Sequence, residues 1–471
     1  MKDIDVGGST EIEPEKGGSA KETGNSPYSP EGTRPGCPSG TGSDAQRVLI
    51  TGIGLIMPGA TSATDFWRHL ADGRSQMTRV PRLVDAGLPT QTAAVVDGFD
   101  YRCHLPDLRE SYAAKYSREQ LIVIASVANA LQDAGVVDGD IDPQRIGVVG
   151  SSSRGPVQWW DETLGMGQSP GPQAALKSLP GSPTSLAAIH CGLQGPVVTL
   201  SNACVGGSQA IGMALDKLRS GEVDAMLAGG YEFPVTRSVV ESFLALGDGV
   251  LCRATDPDDT MRPYDKRRRG FQFGEGSLWM FLETAESARR RGAVAYAEIT
   301  AQRSGCEAGH PTTMDLTGAH GAALVNRTLA DAGIEAADVG YMCGHGTATR
   351  YNDATECRIV DRVFGTEPGT RPALGSVKPV YGHSFGLSAA VNVAATALML
   401  HRQVLTPTVG CVQVDPECAG DHVQGGARPQ AFQHALSLAF ALGSQTAVVA
   451  LSRAPEAMRR PLSMAGELAC G

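Results

Sequence analysis

A chain of 471 residues, 42% of them hydrophobic, is long enough for a fused pair of half-domains with a large core. Its net charge of −10 excludes a general nucleic-acid binder, which needs an extended basic surface. Eleven cysteines, an odd number with no CxxC pair and no Cys/His ligand spacing, exclude a disulfide scaffold; they predict no metal site and a reducing, cytoplasmic setting.

Residues 1–46 are rich in Gly, Ser, Pro and Glu and nearly free of large apolar residues. Such a segment cannot offset its ordering entropy by burial, so it reads as a disordered tail. It also has no apolar core for a signal peptide. The folded body begins at RVLITGIG, a strand. Ser117 to Gly135 reads as a helix, with Ser117 as N-cap, Gln120 completing a capping box and Gly135 as the stop. RIGVVGSSS and VDAMLAGG are short continuous apolar runs, the pattern of strands covered on both faces. TRSVVESFLALG is helical, and SLWMFLETAESARRRG is strand then helix. AYAEITAQ opens a second series of the same kind, closed by ALSLAFAL and TAVVALSR. The alternation predicts an α/β body with mainly parallel, buried sheets. Leu387 to Leu400 is the longest apolar run; it is too short to span a bilayer and contains Asn392, so no membrane segment is predicted.

Two stretches echo each other. VVTLSNACVGGSQAIGMAL and PALGSVKPVYGHSFGLSAAVNVAATALML both read as strand, tight turn and small-residue helix. Cys204 stands at the first turn; Lys378 and His383 stand at the second. A thiol at a helix start meets the positive end of the helix dipole and free N–H groups, which favour the thiolate. The other reading of Cys204 is a small buried core residue. His345 follows the strand-like VGYM between two glycines, where function clusters in α/β folds, or else is a satisfied histidine in a turn. Lys378 in an apolar setting needs a partner, and Glu356 is the candidate; otherwise Lys378 is a surface lysine and His383 a helix N-terminal histidine. Together, a thiol, two imidazoles and an ammonium suit thioester chemistry, in which a nucleophile holds an acyl group and imidazoles stabilise an enolate.

With these motifs the sequence resembles the β-ketoacyl synthase family, the condensing enzymes of fatty-acid and polyketide assembly, over about residues 47–454. MRPYDKRRRGFQFGEGSLWMFLE is similar to the family's Arg-Pro-Phe-Asp and Gly-Glu-Gly segment, and PTVGCVQVDPEC to its Pro-Thr to Asp-Pro-Glu-Cys stretch. The resemblance implies a thiolase-like α/β fold of two related halves in a five-layered αβαβα arrangement. The halves are expected at residues 47–297 and 298–455, with a C-terminal tail at 456–471. It implies Cys204 as the acylated nucleophile and His345 and His383 as the pair that promotes decarboxylation. Lys378 matches the lysine beside them, Glu356 the acid that holds it, and Asp353 a further acidic position. Thr347 and Thr349 match the threonines that bind the phosphopantetheine arm. The N–H groups of Cys204 and Leu442 match the oxyanion hole, with Phe440 in the loop over the acyl pocket. Arg253 matches a residue that docks acyl carrier protein, complementing an acidic partner.

The implied reaction is decarboxylative condensation of an acyl-cysteine with malonyl carrier protein, by a homodimer or a heterodimer with a ketosynthase-like subunit. No metal or redox cofactor is implied. Departures from the pattern are Asn202, Ala348, GSVK in place of Asn-Ser-Thr-Lys, and the loop AFALGSQT, where Leu442 replaces a phenylalanine and Ala441 and Ser444 replace glycines. These departures and the tail suggest specialised polyketide chemistry. The alternatives are a non-elongating acyltransferase using Cys204, which need not keep both histidines, and a chain-length-factor-like subunit, which typically lacks the nucleophile. A thiolase fits the Lys378–His383 segment poorly.

Overall fold

The first strand, β1 (Val48–Met57), is buried at all ten positions. Two of its glycines explain how closely a helix lies on it: a Cβ on Gly54 would sit 2.0 Å from the Ala130 nitrogen, and one on Gly52 2.4 Å from the Ala130 oxygen. That helix, α1 (Arg118–Asp133), starts as the sequence predicts. The Ser117 side chain accepts from Gln120 N and the Gln120 side chain accepts from Ser117 N. Gly135, at φ 63°, ends it in the left-handed conformation. The computed structural model describes residues 46–165, 167, 171–367 and 369–462. All of the predicted N-terminal tail except Gln46, and residues 463–471, lie outside the described residues.

The chain continues through β2 (Ile146–Ser151), β3 (Val197–Leu200), α2 (Gly206–Arg219), β4 (Ala225–Glu232) and β5 (Gly276–Thr284). A second series follows: β6 (Ala297–Cys306), α3 (Ala319–Ala332), β7 (Val339–Cys343), α4 (Arg350–Phe364), β8 (Ala373–Gly375), α5 (Phe385–Arg402), β9 (His434–Ala441) and β10 (Gln445–Arg453). The first group lies side by side in the order β3-β2-β4-β5-β1, the second in the order β8-β7-β9-β10-β6. By position in each series both orders are the same. The pairing repeats as well: the two outer junctions are parallel and the next two antiparallel in each group. β1 and β6 join the groups along Val48–Ile50 against Ala297–Ile299, giving one mixed sheet.

The expectation of mainly parallel pairing is corrected here. β4 returns against β5, and β9 turns directly into β10, so the inner ladders are antiparallel. A short, fully buried strand carries the same apolar run whichever way its neighbour points, so sequence cannot separate the two.

Strand alternation assigns the two faces of each half-sheet to different cores. Leu278, Met280 and Leu282 of β5 and Val449 and Leu451 of β10 share one cluster with residues of α2 and α5. Trp279 and Phe281 turn the other way, onto Ile122 and Ile124 of α1. Val448 and Ala450 turn onto Leu324 of α3 and Ile359 of α4. Thus α2 and α5 form a middle layer, flanked by a half-sheet on each side and then by outer helices, the layered thiolase-like arrangement. The two middle helices touch backbone to backbone: a Cβ on Gly207 would lie 2.7 Å from Ala390 N. The longest apolar run is the buried helix α5. No helix among the described residues is long and apolar enough to cross a membrane.

The expected tail at 456–471 is packed where it is described. Met458 is buried with Leu49, Ala285 and Ala288, and Arg460 pairs with Asp133 at 3.0 Å. A buried apolar side chain and an ion pair hold these residues to the body.

Candidate active site

The repeat explains how residues far apart in sequence meet. β3 leads into α2 through the turn that carries Cys204, and β8 leads into α5 through the turn that carries Lys378 and His383. Because α2 and α5 pack against each other, both turns open onto one cavity of about 380 Å³, within the range of small-molecule sites. Cys204, His345, His383, Thr347, Thr349, Phe440 and Leu442 all line it.

Cys204 Sγ lies 3.2 Å from His383 Nε2. Ala203, just before it, holds φ at 43°, a left-handed backbone that a non-glycine residue adopts at a cost of about 1–3 kcal/mol. Burial pushes the thiol up to about 12, with the charges of Lys378 and Arg154 acting the other way. Desolvation thus outweighs the local positive charges that favour the thiolate. His383 is the base within reach of its proton.

His345 sits two residues beyond β7, with its ring centroid 5.2 Å from that of His383 at 86°. Burial, then the Lys378 charge, lowers both imidazoles well below their usual value, so both rest neutral. Their Nδ1 atoms and Lys378 Nζ are buried without a hydrogen-bond partner among the described residues. Lys378 is lowered by its own burial, while Cys343, Glu356 and Cys204 favour its charged form.

The expected Glu356–Lys378 contact is corrected. The Glu356 carboxylate accepts from Tyr264 OH at 2.7 Å, from Gly346 N at 2.7 Å and from Asn352 Nδ2 at 2.5 Å. It makes no ion pair with Lys378 among the described residues, though its charge acts on it. Helix α4 aims Glu356 at the loop after β7, so its direct structural effect is to hold the backbone next to His345. Asp353, one turn earlier, accepts from Tyr264 N at 2.8 Å. Burial raises Asp353 to about 6, and burial and the Asp353 charge raise Glu356 to about 7.

The Thr347 and Thr349 hydroxyls are 2.9 Å apart. Phe440, near the end of β9, stands edge-on to His345 at 6.1 Å. Leu442, in the β9–β10 turn, is 44% exposed at the cavity. Ser444 in that turn adopts φ 55° and donates to His310 O at 2.6 Å, so the substituted loop keeps a glycine-like backbone. Arg253 lies outside the cavity, exposed and paired with Asp248 at 2.5 Å. Sequence reading missed Arg154, Phe271 and Phe385, which also line the cavity. Arg154 follows β2 as His345 follows β7, and that repeat was the available signal. The donor atoms of Cys204, His345 and His383 lie within 4.8 Å of one another, a set able to hold a soft cation, although Lys378 opposes positive charge there.

Two family models match the chain: "Beta-ketoacyl synthase, N-terminal domain" over residues 45–288 and "Beta-ketoacyl synthase, C-terminal domain" over residues 296–412. The chain belongs to the β-ketoacyl synthase family. Members are acyltransferases of the condensing type. A relative named putative polyketide beta-ketoacyl synthase 1, from Streptomyces halstedii, is 32% identical over 86% of this chain and 98% of its own length. A 3-oxoacyl-[acyl-carrier-protein] synthase 2 from Coxiella burnetii is 30% identical over 87% of this chain and 99% of its own. Among solved structures, the ishigamide ketosynthase/chain length factor superposes with a TM-score of 0.79 at 28% identity, covering 87% of this chain and 99% of that one.

Proposed function

We propose that the chain is a β-ketoacyl synthase of type II polyketide or fatty-acid assembly, with Cys204 as nucleophile and His345 and His383 as the pair that drives decarboxylation. The observation that carries this reading is the 3.2 Å contact between Cys204 Sγ and His383 Nε2, with His345 facing the same ring.

In the first half-reaction His383 Nε2 takes the Cys204 proton and the thiolate attacks the acyl thioester. The phosphopantetheine thiol leaves with a proton. Malonyl carrier protein then enters. Its carboxylate departs as carbon dioxide, and the electron pair moves into the thioester enolate. Neutral imidazoles serve this step as hydrogen-bond donors to the enolate oxygen. The enolate carbon attacks the acyl-Cys204 carbonyl, the carbon–sulfur bond breaks, and the expelled thiolate takes a proton from solvent. Thr347 and Thr349 bind the phosphopantetheine arm, and Phe440 and Leu442 border the acyl pocket, with the Leu442 N–H joining that of Cys204 in the oxyanion hole. Arg253 docks the carrier. Lys378 keeps the imidazoles neutral, and Glu356 positions the His345 loop.

The substrates arrive on acyl carrier protein, as the relative's name says of its own reaction. A second ketosynthase-like subunit, identical or not, completes the assembly, and the free cysteines suit a cytoplasmic setting. The chain divides functionally near 297/298, one half supplying the thiol and the other the imidazoles. A chain-length-factor-like role is disfavoured by the nucleophile at Cys204.

Incubation with acyl and malonyl carrier proteins should yield a β-keto product two carbons longer, read by mass. Cys204→Ala abolishes acylation of the protein; acylation at the normal rate would remove the nucleophile assignment. His383→Ala keeps part of the loading and suppresses carbon dioxide release, and unchanged release would move that role to another group.

A further inference from the structure

Arg154 lines the same cavity as Cys204, and the proposed chemistry does not use it. It is half-buried. Its guanidinium carbon lies 4.7 Å from the Phe385 ring centroid and 5.2 Å from that of Phe243. The Phe385 ring lies 4.7 Å from His383, so the charge stands one aromatic ring beyond the thiol–imidazole pair. It is close enough to act on both Cys204 and His383.

No carboxylate of a described residue pairs with this guanidinium. The nearby Glu232 is engaged elsewhere: Oε2 accepts from Ser153 N and Oγ at 2.7 Å each and from Gly386 N at 3.0 Å, and Oε1 from Arg154's own backbone N at 3.2 Å. Among the described residues the Arg154 side chain donates only to Ser153 Oγ, at 3.2 Å. It lines a cavity that it shares with Phe243, Phe271 and Phe385.

A saturated acyl chain laid against this group would strip its water and return no hydrogen bond. An oxygen on the chain would return a charge-assisted one. We propose that Arg154 is a specificity-determining residue that selects acyl groups bearing an acceptor oxygen, keto or carboxylate, several carbons beyond the thioester. This rests on the ketosynthase reading and adds the substrate class to it.

The test is a competition among hexanoyl, 5-oxohexanoyl and adipoyl carrier proteins, read as the mass of acylated Cys204. The wild type should load one or both oxygenated chains at least about tenfold faster than hexanoyl. Which one wins separates keto from carboxylate. Arg154→Met should bring the ratio close to one, whereas Arg154→Lys, still cationic, retains a preference. A ratio measured within one sample is insensitive to how much of a variant folds. Hexanoyl loading in the wild type as fast as both competitors, or a ratio that survives in Arg154→Met, overturns the proposal and leaves the ketosynthase reading standing. A wild type that loads none of the three overturns both.

Discussion

Lys378 is a buried amine without a hydrogen-bond partner among the described residues, beside two neutral imidazoles. Its charge is the second largest reason, after burial, that both rings titrate low. Protonation costs His383 the acceptor role it needs in loading, so the acid limb of Cys204 acylation should lie below the usual histidine value of 6.5. Lys378→Met removes the repulsion, raises both rings, and should shift the acid limb of Cys204 acylation to higher pH. A limb that stays in place would show that Lys378 does not set the protonation of the pair. At this scale the sequence was legible where a residue sits in a local motif, as Cys204, His345 and His383 do. It was not legible where a long-range contact decides. Glu356 matched an acid expected to hold Lys378, yet the register of α4 brings its carboxylate to Gly346 and Tyr264. The balance at Cys204 was hidden for a related reason, because helix position is visible in sequence and depth of burial is not.

The elements were read well where their signals are local. The reciprocal cap of α1 depends on residues three apart, Ser117 and Gln120, and it forms. Strand direction depends on connections, and there the reading went astray. One element also carries a cost that no local signal reveals. Glu119, in the first turn of α1, is buried, accepts from Trp159 N at 3.2 Å with one oxygen, and leaves the other without a partner among the described residues. Burial raises its carboxyl from the usual 4.5 to about 8. Between those two values the unfolded chain has lost the proton and the folded chain keeps it. Folding there takes up a proton, so stability is fully present below the lower value and falls by about 1.4 kcal/mol per pH unit up to the higher. Glu119→Gln should flatten that slope in denaturant unfolding measured from pH 5 to pH 9. An unchanged slope would assign the pH dependence to other carboxylates.

Over the whole molecule, the sheet ends at β3, whose outer edge is unpaired among the described residues and whose Val197 is 37% exposed. An open edge with apolar side chains is a template for another strand. The strand leads directly into the Cys204 turn, so a subunit docked there would abut the nucleophile's own support. Val197→Lys places a charge on that edge and should shift the assembly towards monomer in light scattering, with acylation of Cys204 falling alongside. An unchanged mass would put the subunit contact elsewhere. The weak echo noted in the sequence proved to be a full repetition of strand order, hidden because only the order of neighbours is preserved and few of the residues.

That repetition leaves neither series able to act alone. The first carries Cys204 at its turn and the second His383, so the proposed reaction needs both. A chain severed in the stretch between β5 and β6 should therefore yield two inert fragments that regain turnover when mixed.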